Sequence, residues 1–162
     1  MALELNLNLA RNSLWEAINN WEETTGVFNT SYYFNEPVDQ IDINGPSPSD
    51  FPAIMILRPS LTPTWFAQNM AEYADLYVIT LWTEDWAYPE IEDLIEKVSN
   101  AVYRATPAGS TVTYVKQQTG LYPQLNGPIT FNFVHTGSDQ KTKATRADMN
   151  IALRLHKDPF AA

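Results

Sequence analysis

The stretch from Asp75 to Arg104, DLYVITLWTEDWAYPEIEDLIEKVSNAVYR, decides the fold. Leu76 to Trp82 is a run of large apolar and β-branched residues, the composition of a buried strand. A turn follows over Thr83 to Pro89. Ile91, Leu94, Ile95, Val98, Ala101 and Val102 then recur at helical spacing and form one apolar stripe. Pro89 suits a first helical turn, where a missing N–H costs nothing. Glu90, Glu92 and Asp93 sit at the positive end of the helix dipole, with Lys97 and Arg104 toward the negative end. One strand and one helix are therefore written here. The rest of the chain is expected to supply a sheet that this helix covers, with Leu94, Ile95, Val98 and Val102 buried against it.

The flanking sequence fills in that picture. Leu7, Ala10, Leu14, Ala17, Ile18 and Trp21 recur at helical spacing and predict a helix from about Asn8 to Glu23, with Gly26 just past its end. Leu3 to Leu9 also alternates with period two, so the first residues read equally as an extended arm. Strands are expected over Val27 to Phe34, Pro52 to Arg58 and Thr111 to Gln117. Residues 35–50 form a loop rich in Pro, Gly, Asn and Asp. In residues 59–74, Thr62 before Pro63 looks like a helix start, with Phe66, Met70 and Tyr73 on one helical face. An irregular connection carrying an exposed aromatic is the competing reading. Residues 120–128 read as a loop. Ile129 to Thr136 and Ala147 to His156 alternate like an antiparallel hairpin, joined by a polar tip. The expectation is an α+β fold in a single domain, residues 1–162. A mostly antiparallel β-sheet is packed by an N-terminal helix and a central helix, with a long C-terminal β-hairpin.

Composition narrows the functional classes. The chain has 162 residues, 44% of them hydrophobic, with no apolar run near the ~20 residues that span a membrane. No basic segment leads into an apolar one at the N-terminus, so no secretory signal is expected. Cysteine is absent, which excludes disulfides and thiolate metal sites. Ten Lys and Arg stand against 19 Asp and Glu, a net charge of −9. Such a body is a poor general nucleic-acid binder, because phosphate contacts need clustered cations. No GxSxG, P-loop or GxGxxG occurs. His135 and His156 have no metal-ligand spacing and read as ordinary strand histidines. Asp39, Asp42 and Asp50 depart from the EF-hand pattern and read as a solvated acidic loop. Glu84, Asp85, Glu90, Glu92 and Asp93 crowd the helix start, where the dipole explains them without acid–base catalysis. No catalytic residue, metal ligand or cofactor site is expected. Lys141 and Lys143, with Arg146 behind them, form one local positive patch at the hairpin tip, either a solvated tip or a contact for an acidic partner or for passing phosphate.

The order of elements, the YVITLW strand, the acidic turn TEDWAYPE, the helix IEDLIEKVSNAV, the helix LARNSLWEAINNW and the polar-tipped final hairpin together cover most of the chain. In these it resembles the tail terminator proteins of long-tailed bacteriophages and the related small neck proteins. Residues 35–50 and 59–74 exceed what a minimal member needs. The resemblance implies no catalysis. It implies a ring, commonly six-fold, in the neck of the virion, assembled in the host cytoplasm. Its partners would be further copies of the chain, the tail tube protein, the head-connector or stopper protein, and a sheath in tails that have one. DNA would pass through the lumen without specific binding. A neutral or acidic lumen, apart from the Lys141 and Lys143 tips, would let it slide.

A ring repeats one head-to-tail contact until it closes. Sheet edges and aromatic residues are the expected material, with Trp65 and Trp86 as anchors, joined by Tyr88, Lys141, Lys143, Arg146 and Phe160. Other readings are a head–tail stopper or adaptor, a small ligand-binding α+β domain with an aromatic pocket wall, and an enzyme using the carboxylates near Trp86.

Overall fold

The computed structural model describes residues 7–32, 45–67, 70–103 and 122–157. Their order is α1 (Leu7–Asn20), β1 (Thr30–Tyr32), a single 3₁₀ turn (Pro48–Asp50), β2 (Ala53–Ala67), β3 (Met70–Glu84), α2 (Tyr88–Tyr103), β4 (Tyr122–Leu125), β5 (Thr130–Thr136) and β6 (Thr142–Lys157). The six described strands form one sheet in the order β1-β2-β3-β6-β4, with β5 pairing β6 beside β4. Every pairing is antiparallel except that of β1 with β2. The fold is α+β.

Period-two alternation in the strands meets the helical stripes on one face. Ile54 and Ile56 of β2, Tyr77, Ile79 and Leu81 of β3, and Ala147, Met149 and Ile151 of β6 are all fully buried beneath the helices. α1 contributes Leu14, Ala17, Ile18 and Trp21; α2 contributes Ile91, Leu94, Val98, Ala101 and Val102. Ile95 is half-buried against the same core. Each fully buried Leu, Ile or Val is worth about 1.5–3 kcal/mol in transfer from water, so this face accounts for the packing of both helices.

A smaller cluster lies on the opposite face: Phe51, Ala53, Trp82 and Ala144, with Met55 and Val134 packed against it. The segment before β2 is tied there by the Thr136 hydroxyl, which donates to the Pro46 carbonyl at 2.7 Å. Gly45 beside it has φ +84°, and a Cβ there would come within 2.9 Å of Thr136 Cγ2. The site requires glycine on both counts.

Several elements differ from the sequence reading. Residues 59–67 are not the start of a helix; they continue β2, and residues from Met70 onward belong to β3. Ser60 pairs Leu76 and Trp65 pairs Ala71, with register shifts at Leu57/Ser60 and Trp65/Ala67. Pro59 and Pro63 are compatible with a strand there because no described strand pairs β2 on its outer side past Met55. β4 occupies part of the expected 120–128 loop. β6 begins at Thr142, so the hairpin tip is confined to the turn in which Gln140 N–H donates to the Gly137 carbonyl at 3.0 Å. α1 ends at Asn20, short of Glu23. The hydroxyl of Thr24 donates to the Ile18 carbonyl, and that of Thr25 lies 2.7 Å from both the Asn19 and Trp21 carbonyls, sharing its one proton between them. These side chains take the last helical acceptors and close the helix. The strand expected at Thr111 to Gln117 and most of the 35–50 loop lie outside the described residues.

Candidate interaction surface

The turn between β3 and α2 is built around a buried hydroxyl. Thr145 of β6 is fully buried, donates to the Asp85 carbonyl at 2.7 Å, and accepts from the Ala87 N–H at 3.2 Å. The Asp85 N–H donates to the Lys143 carbonyl at 3.0 Å. Asp85 adopts φ +64°, a left-handed conformation that Asp tolerates better than most residues. The backbone on both sides of Trp86 is thus fixed to β6.

Trp86 itself is fixed through its ring. Its Nε1–H donates to the Val134 carbonyl of β5 at 3.0 Å. His135 meets the indole edge-on at 4.9 Å, Phe133 lies at 6.2 Å, and the Lys143 ammonium stands 4.9 Å from the ring centroid. Tyr88, in the first turn of α2, contacts Phe133 at 5.1 Å and Phe131 at 5.9 Å. Yet these rings remain wet: Trp86 is 42% exposed, Tyr88 48%, Phe131 41% and Phe133 47%.

The register explains the exposure. Phe131 pairs Ala147 and Phe133 pairs Thr145, so both lie on the helix-bearing face of the sheet. α2 covers β6 and leaves the β5 face uncovered among the described residues. Contiguous exposed rings of this kind mark contact surfaces. Rings already held in place lose little freedom on binding, which favours them as anchors.

The expected interface residues distribute as follows. Trp86, Tyr88 and Lys143 come together here. Lys141 is exposed in the adjoining turn, its N–H donating to Asp139 Oδ1 at 3.1 Å. Trp65 belongs to β2, on the other side of the sheet. Arg146 does not join the two lysines, which corrects the single positive patch. Strand alternation puts it on the opposite face, where its Nε donates to Asp148 Oδ1 at 3.2 Å. Its guanidinium lies 5.8 Å from the Trp82 ring. Asp148 also accepts from the Thr80 hydroxyl at 2.7 Å. Phe160 lies outside the described residues. Phe131, Phe133 and His135 join the surface without having been expected there. Their alternation marks a strand face, but only the register shows that this face has no cover.

No protein-family model matches the chain, and no curated protein matches it. Among the described residues no group of three His, Cys, Asp or Glu side chains is placed to hold a metal ion. Two of the carboxylates have local roles: Asp50 accepts from the Ser47 N–H at 2.8 Å, and Asp93 of α2 pairs with Lys97 at 2.9 Å. Asp39 and Asp42 lie outside the described residues. No described helix is long and apolar enough to cross a membrane.

Proposed function

We propose that this chain is a structural protein of a bacteriophage neck, a tail terminator that forms a six-fold ring between the tail tube and the head connector. The observation that carries the reading is the edge of the sheet at β5. Four large rings stand exposed there, and Trp86 is anchored to the edge strand by a hydrogen bond. Such a surface suits a stable protein contact, and β1 forms the edge on the opposite side of the same sheet. Two different surfaces at two ends of one sheet are what a head-to-tail contact needs. The element order and the resemblance of the central strand–turn–helix support a position for the ring in the neck of the virion. The net charge of −9 fits a lumen that repels phosphate and lets DNA pass.

The test is mass measurement and negative-stain imaging of the purified chain, alone and mixed with tail tubes. Rings capping the tubes at one end support the reading. A chain that stays monomeric with tubes and binds a small molecule at the aromatic corner supports a ligand-binding domain instead.

A further inference from the structure

The described edges of the sheet are protected unevenly. Natural sheets blunt their edges with prolines, charges or very short strands. The outer side of β2 carries Pro59 and Pro63, and β4 carries Pro123. β5, with sequence TFNFVHT, has neither proline nor formally charged residue, and neither does β1, with sequence TSY. β1 and β5 lie on opposite sides of the sheet.

They also lie on the same rows. Thr30 pairs Ala53, Ala53 pairs Trp82, Trp82 pairs Arg146, and Arg146 pairs Asn132. One row further on, Ser31, Ile54, Leu81, Ala147 and Phe131 are linked in the same way. The third row runs from Tyr32 through Met55, Thr80 and Asp148 to Thr130. The two edge strands without proline or charge, β1 guarded only by its length of three residues, therefore stand level across the described sheet. The proline-bearing parts of both edges fall together in its other half, where Pro123 pairs Leu153, Leu153 pairs Asp75 and Asp75 pairs Leu61.

Resting on the ring reading above, we propose that β5 of one copy pairs with β1 of the next, extending the sheet from copy to copy. The polarity fits. β2, β3, β6 and β5 alternate in direction and β1 runs with β2, so the junction is antiparallel. The level fits as well. A head-to-tail contact closes into a ring only without net rise, and otherwise grows into a helix. Strands already on common rows need no rise along the strand direction. The faces agree too: Phe131 shares its row with Ala147, Leu81 and Ile54 on the helix-bearing side, and β1 enters that row at Ser31, so all helices stay on one side of the band. Continued antiparallel past Asn132 and Thr30, this register brings Phe133 level with Asn29 of the next copy and Val134 level with its half-buried Phe28.

The absence of native cysteine makes the test clean. Thr30→Cys and Asn132→Cys, which share a row and leave the four rings in place, are prepared singly and together, assembled on tail tubes, and oxidised. Antiparallel partners on one row bring Cβ atoms within disulfide reach. The double variant is expected to give a ladder of covalent oligomers on a denaturing gel, ending at the copy number of the ring. A mixture of the two single variants is expected to stop at dimers, and each single variant alone to stay monomeric. Rapid dimerisation of Asn132→Cys alone would mean a two-fold β5–β5 contact and overturns the proposal. Rings on the tubes without a ladder overturn this contact while leaving the ring standing. Neither rings nor ladder overturns both.

Discussion

Thr83 and Thr145 face each other on one row of the sheet, and replacing each by Val is expected to have opposite effects. Both side chains are buried, at 2% and 0% exposure. The Thr145 hydroxyl makes two hydrogen bonds that fasten the Asp85–Ala87 turn. Among the described residues the Thr83 hydroxyl has no hydrogen-bond partner. Valine keeps the shape and removes the oxygen. A typical intramolecular hydrogen bond contributes about 0.5–1.5 kcal/mol net. Asp85 and Ala87 are exposed, so water can take over part of what is lost. Thr145→Val is therefore expected to cost about 1–2 kcal/mol. A buried hydroxyl without a partner costs roughly 1–3 kcal/mol by protein mutational data, so Thr83→Val is expected to gain about 1 kcal/mol. Urea unfolding followed by far-ultraviolet circular dichroism measures both differences. Thr145→Ser, which keeps the oxygen, should recover most of the loss. Equal effects of the same sign from the two valine substitutions would refute this reading of the turn.

Other outcomes follow from the packing and the surface. Ile91→Ala, at a fully buried position of α2, should cost about 2–5 kcal/mol, and Ile95→Ala, half-buried, should cost less; the reverse order in urea melts would contradict the packing of α2. Phe133→Ser should leave the fold intact and abolish ring assembly on tubes, as seen in negative stain. Lys141→Glu with Lys143→Glu should change stability by no more than about 1 kcal/mol, the scale of an exposed cation–π contact such as that of Lys143 with Trp86. The same double substitution should lower the yield of joined heads and tails in a complementation assay.

The sequence makes the helix-covered half of the fold legible, because period-two and helical stripes can be read wherever one face is buried. Ile91, Leu94, Val98 and Val102 announce their burial, as do Leu14, Ala17 and Ile18. The other half of the long strands is harder to read. Phe66, Met70 and Tyr73 fall at helical spacing, and Thr62 before Pro63 imitates a helix start. Pairing with β3 overrides both, since an edge strand accepts proline. Trp86 and Tyr88 could be suspected from their place in a turn. Phe131 and Phe133 could not, because alternation shows a strand's two faces without showing which face a helix reaches. Lys143 and Arg146 looked like neighbours in a polar tip, and strand alternation separates them.

The most direct test of the central claim is a density map of the head-proximal end of the tail in the assembled particle. The account predicts six copies of this chain in one ring on the last tube layer, each sheet joined to the next through β5 and β1. A map in which the chain is absent, or present without rotational symmetry, would contradict it.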